Sequence, residues 1–370
     1  MKNGTLKIVH VLLGTADPEL MGGINKVVHF LASEQVKLGN KVAVLGITKN
    51  NHEQRGNLLY ELTLFFKKNN RFSLDRKIHK TIRKYSSDTI FHLHSSFRPE
   101  IYAVSRLLKK EGFRWVHTPH GGYTSVSLSK NYFLKSFYWF FFERKIASNA
   151  FAIQSLGEEI AFKNLKSKIA IIPNGYMLTE SYKKKYSESN TLKISFCGRI
   201  EKYYKGLDIL FDSILSLTKK ESQIKLTMIG DGPDRAYFEN FVKNNGLDEV
   251  VNFTGTKTGH EKYSLITQSD IFILSSRSEG LPTGVLEALN LALPVIISKQ
   301  TNLGEYVISS NSGYVLDELT SNNLNRIIQL ASSDKKKGLL REKGINGRKM
   351  ISDFFSWEEI AKKMQLKLYQ

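Results

Sequence analysis

The sequence predicts an α/β protein built from two doubly wound domains. Three observations carry this. The 370 residues exceed what one hydrophobic core usually supports. Short apolar, β-rich runs alternate with amphipathic stretches of helical period. The alternation breaks once, near the middle, in a polar, lysine-rich segment.

LKIVHVLL (6–13) reads as a buried strand, and INKVVHFLASEQVKLG (24–39) as a helix stopped by a glycine. KVAVLGI (41–47) is the next strand, and strand–helix–strand order indicates a parallel βαβ unit. TIFHLHS (89–95), RWVHTPHG (114–121), AFAIQSL (150–156) and KIAIIPNG (168–175) continue the rhythm, giving an N-terminal domain over 1–175. YMLTESYKKKYSESN (176–190) lacks apolar periodicity and is read as the linker. LKISFCG (192–198), QIKLTMIG (223–230), VVNFTG (250–255), DIFILSS (270–276) and PVIIS (294–298) are the strands of a second domain over 191–352. Helical stretches such as KGLDILFDSILSLTKK (205–220) separate them, and SWEEIAKKMQLKLYQ closes 353–370 as an amphipathic helix. Two Rossmann-like domains facing a cleft are expected, with ligands beyond the carboxyl ends of the strands.

Composition is that of a globular protein, 41% hydrophobic and 24% charged. A single cysteine, Cys197, excludes an internal disulfide and fits a reducing compartment. The opening MKNGTLKIVHVLLG lacks a signal-peptide pattern, and no run of about 18 apolar residues predicts a membrane span. The expected location is cytoplasmic.

Net charge is +19 and uneven: residues 1–190 carry 30 Lys and Arg against 14 Asp and Glu, residues 191–370 carry 24 against 21. The first half is therefore expected to meet something anionic: a membrane surface, a phosphorylated substrate or nucleic acid. A basic surface serving only solubility is the bland alternative. No nucleic-acid-binding motif supports the last partner, and the aromatics cluster instead of interleaving with basic residues. Six consecutive aromatics, 137–142, lie in SLSKNYFLKSFYWFFFERKIA (127–147). They read equally as an interfacial anchor or as a buried helix.

The chemistry concentrates in EGLPTGVLE (279–287), where Glu279 and Glu287 bracket a turn and a helix start. Hydrolytic carboxylate pairs stand about 5–5.5 Å or about 6.5–9.5 Å apart. Eight residues of continuous helix rise about 12 Å, so a hydrolytic pair is disfavoured. The helix N-terminus around Thr283 to Leu286 instead favours a phosphate, with a carboxylate on either side to accept from hydroxyl groups. In CGRIEKYYKG Arg199 ends a strand and Lys205 opens the next helix, and GDGP, with Gly230 and Gly232, ends another strand at the same edge. Two cations there suit a departing diphosphate. Gly22 and Gly23 in MGGINKVV precede a helix and would allow an anion to approach. No Asp-x-Asp and no zinc-spaced Cys/His cluster occurs, so no metal and no cofactor are implied.

On these motifs the chain resembles the retaining glycosyltransferases of family 4, which have the GT-B fold. The signature is Glu, seven residues, Glu in SEGLPTGVLEAL, with GR…KG and GDGP in the same order. The resemblance implies that Glu279 holds donor-sugar hydroxyls, that Glu287 holds the ribose, and that Arg199 and Lys205 bind the diphosphate. Backbone amides at Gly280, Leu281 and Thr283, flanking Pro282, would line sugar and phosphate. Gly22 and Gly23 would form the N-terminal glycine loop. His120, in HTPHGG, matches the His-Gly near the reacting carbon, while His94 and His117 read as structural. The last helix would cross back onto the N-terminal domain. Five residues separate Arg199 from Lys205, one more than usual, so Lys202 competes for the phosphate role. The implied activity moves a hexose or N-acetylhexosamine from a nucleotide sugar, UDP by family frequency, to a lipid-linked, polysaccharide or lipopolysaccharide acceptor at the inner membrane face. A polyanion-binding protein and a non-catalytic sugar-nucleotide binder are the alternatives.

Overall fold

The computed structural model describes residues 5–18, 23–49, 57–123, 127–128, 131–157, 165–178, 189–279 and 281–370. The chain divides into two compact units, Met1–Gly175 with Phe355–Gln370, and Tyr176–Phe354. Most of the expected linker, 179–188, lies outside the described residues, as do Gly22 and Gly280.

The first unit holds a seven-stranded sheet of β1 (Lys7–Leu12), β2 (Lys41–Thr48), β3 (Glu61–Phe66), β4 (Ile90–His94), β5 (Arg114–Thr118), β6 (Ala152–Ser155) and β7 (Lys168–Ile171). Its order is β3-β2-β1-β4-β5-β6-β7, with parallel pairing throughout. The second unit holds a six-stranded parallel sheet of β8 (Leu192–Cys197), β9 (Ile224–Ile229), β10 (Val251–Gly255), β11 (Ile271–Leu274), β12 (Val295–Ser298) and β13 (Gly313–Leu316). Its order is β10-β9-β8-β11-β12-β13. Each sheet reverses winding once, between β1 and β4 and between β8 and β11, and such reversals open a crevice at the carboxyl edge.

Two strands escaped the sequence reading, and both are edges. β3 and β13 are only partly buried, whereas β4, β11 and β12 are buried at every position. Continuous apolar runs mark strands covered on both faces; ELTLFF and GYVL carry a weaker, alternating signal.

The helix Trp357–Leu368 belongs to the first unit. Ser356 caps it by accepting from the Glu359 N–H at 3.4 Å, a half-formed capping box. Its apolar face, Trp357, Ile360, Ala361, Met364 and Leu368, packs with Ile8, Leu31, Ile90, Val116 and Ala152. Successive residues of a strand alternate faces, so His10, His92, His94, Thr118 and Gln154 share this helix-covered face with that apolar layer. A polar layer thus lies over an apolar one, one residue pair closer to the carboxyl edge.

Among the described residues, no helix is long and apolar enough to cross a membrane. The aromatic run is packed on the core in part and exposed in part. Phe137 and Tyr138 end the helix Tyr132–Tyr138, and the other four aromatics lie in the π-helical turn Trp139–Glu143. Trp139 and Phe142 pack on the core, while Phe133 is 89% exposed and Phe137, Phe140 and Phe141 also face solvent.

Candidate functional site

In the second unit the strand ends and the loops after them form one bonded assembly. Arg277, just beyond β11, grips Asp208 with two nitrogens at 2.8 and 2.7 Å, and its Nη1 also reaches the Tyr203 carbonyl at 2.7 Å. Burial opposes charge on Asp208, but the guanidinium fork outweighs it and holds the carboxyl below its ordinary pKa. Gly206, at φ 62°, lies so close to β11 that a Cβ would stand 1.9 Å from the Ser275 carbonyl oxygen. The Lys205 loop and the Glu279 loop are therefore held as one piece.

Glu279 Oε1 accepts from Lys205 Nζ at 2.5 Å and from Ser276 Oγ at 2.8 Å. The Glu279 backbone is fixed by its N–H to the Gln300 carbonyl at 3.2 Å and by Asn302 Nδ2 to its own carbonyl at 2.8 Å. Lys202 goes elsewhere: its ammonium lies 4.0 Å from the Tyr237 ring centroid. Of the two competing lysines, Lys205 is the one that meets Glu279. Arg199 is 66% exposed at its side chain and touches Glu201 only at 3.4 Å.

Glu287 lies in the helix Thr283–Asn290, its side chain mostly buried, and accepts from Lys262 Nζ at 2.6 Å. Burial disfavours the ammonium of Lys262, yet the bond to Glu287 raises its pKa above the ordinary value. Sequence reasoning missed Lys262; it sits in the helix Gly259–Thr267, outside any recognised motif. Burial, with the Glu287 charge, pushes the Cys197 thiol up to about 11, so it remains a thiol rather than a nucleophile at neutral pH. Each of the paired glutamates has its own lysine, and both serve as acceptors.

The helix after Pro282 has no side-chain cap. Val285 and Leu286 are its first internal donors, to the Pro282 carbonyl at 3.1 and 3.3 Å. The N–H groups of Thr283 and Gly284 thus precede the intrahelical ladder. Leu281 is half-buried and Pro282 buried at this entry. The GDGP turn packs on the Arg199 loop: Ile200 N–H reaches the Asp231 carbonyl at 2.9 Å, and Asp234 N–H the Ile200 carbonyl at 3.2 Å. A Cβ on Gly230, at φ 141°, would stand 2.0 Å from the Gly198 carbonyl oxygen, and Gly232 N–H turns onto Asp231 Oδ1 at 2.7 Å. These two glycines let the turn support the loop that carries Arg199.

In the first unit Gly23 is exposed and opens the helix Gly23–Lys37. Asn25, two residues on, ties this helix to the loop after β1 by accepting from the N–H groups of Thr15 at 3.2 Å and Ala16 at 3.1 Å. His120 follows β5 in a left-handed conformation, φ 48°, which is strained for a residue with a Cβ. Its Nε2 meets His94 Nδ1 at 3.0 Å, and His94 Nε2 meets His10 Nδ1 at 2.9 Å. His117 is buried beside Tyr123 at 3.1 Å and Glu143 at 3.4 Å. Glu143, also unflagged by the sequence, accepts from the Phe97 N–H at 2.9 Å and from the Tyr123 hydroxyl at 2.8 Å.

His10, His92 and His94 bring one ring nitrogen each within 4.8 Å of the others, a spacing that could hold a metal ion. All six of their ring nitrogens, however, have organic partners: Gln35, Tyr369, Thr118, His120 and one another. The donor set fits a hydrogen-bonded layer better than a metal centre.

Burial pushes His10 down to about 4 despite the Gln35 bond, and pushes His120 down to about 3, with the His117 charge adding to it. His92 and His94 are lowered well below the ordinary value, by burial first and then by the neighbouring imidazoles. In the unfolded chain each would bind a proton near its ordinary pKa of 6.5. Below that pH the unfolded state binds more protons, so stability falls as pH falls. For one such histidine the loss by pH 5 is about 2 kcal/mol. Denaturant midpoints measured between pH 7 and pH 5 should fall steadily; a flat profile would contradict a neutral layer.

The family model described as Glycosyltransferase Family 4 matches residues 21–180, and that described as Glycosyl transferases group 1 matches residues 179–350. An uncharacterized glycosyltransferase of Methanocaldococcus jannaschii is 28% identical over 284 residues, 76% of each chain. The lipopolysaccharide 1,2-N-acetylglucosaminetransferase of Salmonella typhimurium is 22% identical over 311 residues, covering 78% of this chain and 69% of its own. The solved structure of Anabaena HepE in complex with UDP and glucose shares the fold, with a TM-score of 0.67 at 16% identity over 98% of this chain and 99% of that one. With both halves matched and the two-sheet architecture shared, the chain belongs to the family 4 glycosyltransferases and has the GT-B fold.

Proposed function

We propose that this glycosyltransferase works with retention, moving a hexose or N-acetylhexosamine from a UDP-sugar to a lipid-linked or polysaccharide acceptor. The observation that carries this reading is the pair of lysine-held carboxylates, Glu279 on Lys205 and Glu287 on Lys262, flanking an uncapped helix start. Carboxylates held as acceptors suit the hydroxyls of a sugar and a ribose. The donors ahead of the helix, with Arg199 and Lys205, suit a diphosphate whose charge grows as it leaves. The acceptor hydroxyl would attack from the face the phosphate leaves and pass its proton to that phosphate. The anomeric configuration is then kept without an enzyme nucleophile. Leaving-group charge falls on these cations and amides in the proposal, with no metal-dependent step and no cofactor. The Salmonella relative that transfers N-acetylglucosamine to lipopolysaccharide supports the donor and acceptor classes.

A panel of UDP-, GDP- and ADP-sugars tests the donor reading by thermal stabilisation and slow hydrolysis. UDP-sugars should stabilise the protein, and a panel without any response would remove the transferase mechanism proposed here. Loss of a charged hydrogen bond costs about 1.5–3 kcal/mol, so Glu279→Gln should lower transfer about 10- to 100-fold. UDP affinity should hardly change in Glu279→Gln, whereas Glu287→Gln should weaken UDP binding directly. Equal effects of both variants on UDP affinity would contradict the division of roles. A DNA mobility shift without nucleotide-sugar turnover would favour the polyanion-binding alternative, and donor binding without transfer the non-catalytic one.

We also propose that the protein works peripherally on the cytoplasmic face of an anionic membrane. Support comes from the solvent-facing Tyr132, Phe133, Leu134, Phe137, Phe140 and Phe141, followed by exposed Arg144 and Lys145, in the more basic half of the chain. The protein should co-sediment with phosphatidylglycerol vesicles, less so at high salt, and far less as a Phe133→Ser/Phe137→Ser/Phe140→Ser variant. Unchanged sedimentation of that variant would remove the aromatic surface from the account.

A further inference from the structure

The buried polar layer of the first unit forms an unbroken chain of hydrogen bonds from a backbone carbonyl to His120. Its polarity follows from that one carbonyl. The Ile172 oxygen can only accept, so the group 2.8 Å away must be the Gln154 amide nitrogen. Gln154 Oε1 then faces Thr118 Oγ1 at 2.7 Å, and the Thr118 hydroxyl must donate to it. Thr118 Oγ1 in turn accepts from His92 Nε2–H at 2.6 Å. A neutral His92 with its proton on Nε2 has a lone pair on Nδ1, which takes the Tyr369 hydroxyl proton at 2.8 Å. The Tyr369 oxygen accepts from Gln35 Nε2 at 3.1 Å, which turns Gln35 Oε1 towards His10 Nε2 at 2.7 Å. His10 must donate there, leaving its Nδ1 to accept from His94 Nε2–H at 2.9 Å. His94 Nδ1 therefore accepts from His120 Nε2–H at 3.0 Å.

Every step has one solution when the imidazoles are neutral. Reversing any one bond would set two acceptors or two donors against each other, and for groups that are almost all fully buried that is costly. We infer that this chain is a positioning device that locks His120 as the Nε2–H tautomer and leaves its Nδ1 as an obligate acceptor at the end of β5. Tyr369, brought in by the last helix, joins the two halves of the chain, and Gln35 turns its direction. This rests on the proposed transferase function and on the family resemblance that sets His120 near the reacting carbon of the donor sugar. The consequence is a specificity rule: the ligand group against His120 must donate, as a sugar hydroxyl or amide N–H does, and a carboxylate or phosphate oxygen is refused.

Long-range proton–nitrogen NMR on histidine-labelled, ligand-free protein near pH 7.5 reads each tautomer directly. The wild type should show His120 protonated on Nε2 alone. Tyr369→Phe removes the central link with little change in volume, and His120 should then populate both tautomers, with transfer about 10-fold slower. Thr118→Val breaks the chain at another place and should have the same effect on the His120 tautomer if Tyr369→Phe does not fold. An Nδ1–H tautomer or an imidazolium in the wild type would overturn the inference, and so would an unmoved tautomer in a folded variant. The tautomer is read without any donor present. Correct tautomers with no UDP-sugar turnover would therefore count against the proposed function and leave the positioning device standing.

Discussion

Parallel strand pairing is the constraint on which the rest depends. It gathers the carboxyl ends of all strands of a sheet on one edge, and winding reverses once in each sheet. The chemistry of this chain is assembled from the loops that leave those edges. Cys197, Ile229, Leu274 and Ser298 end four neighbouring strands of the second sheet, and the Arg199, GDGP, Glu279 and Gln300 segments follow them directly. Because the edge is shared, residues 74 positions apart, Lys205 and Glu279, meet at bonding distance. Helix Thr283–Asn290 starts at the same edge and brings there the amides that precede its intrahelical ladder. Antiparallel pairing would have scattered these loops over two edges.

Much of this was legible because the signals were strong and local. Central strands are continuous apolar runs, and glycine and proline punctuate the motif loops. The edge strands β3 and β13 were not legible, since half-exposed strands imitate loops. The Glu279–Glu287 segment was read as a holder from its spacing, and the bonds to Lys205 and Lys262 agree with carboxylates that accept. Lys262 and Arg277 were not legible, because each acts through a partner far away in sequence: Glu287 25 residues on and Asp208 69 residues back. Which of Lys202 and Lys205 meets Glu279 depended on the course of a loop, where the left-handed Gly206 packs against the Ser275 carbonyl.

The histidine layer shows the same limit. IVH in β1 and HLH in β4 read as strand residues; alternation puts His92 and His94 on one face, but nothing local says that His10 joins them. Strand register places His10 there, and the last helix, distant in sequence, supplies Tyr369. A polar layer buried this deeply is tolerated only if fully bonded, so it constrains far more than its own stability. His117 Nδ1, by contrast, is buried without a partner, outside the chain that ends at His120.

In the proposed mechanism the two glutamates are clamps for a donor rather than an acid and its nucleophile. The most direct measurement is the anomeric configuration of the glycoside formed from an α-linked UDP-sugar, read by proton NMR. An α-linked product is the result expected of transfer on the leaving-group face. A β-linked product would contradict it, since inversion requires attack from the opposite face and a general base placed there.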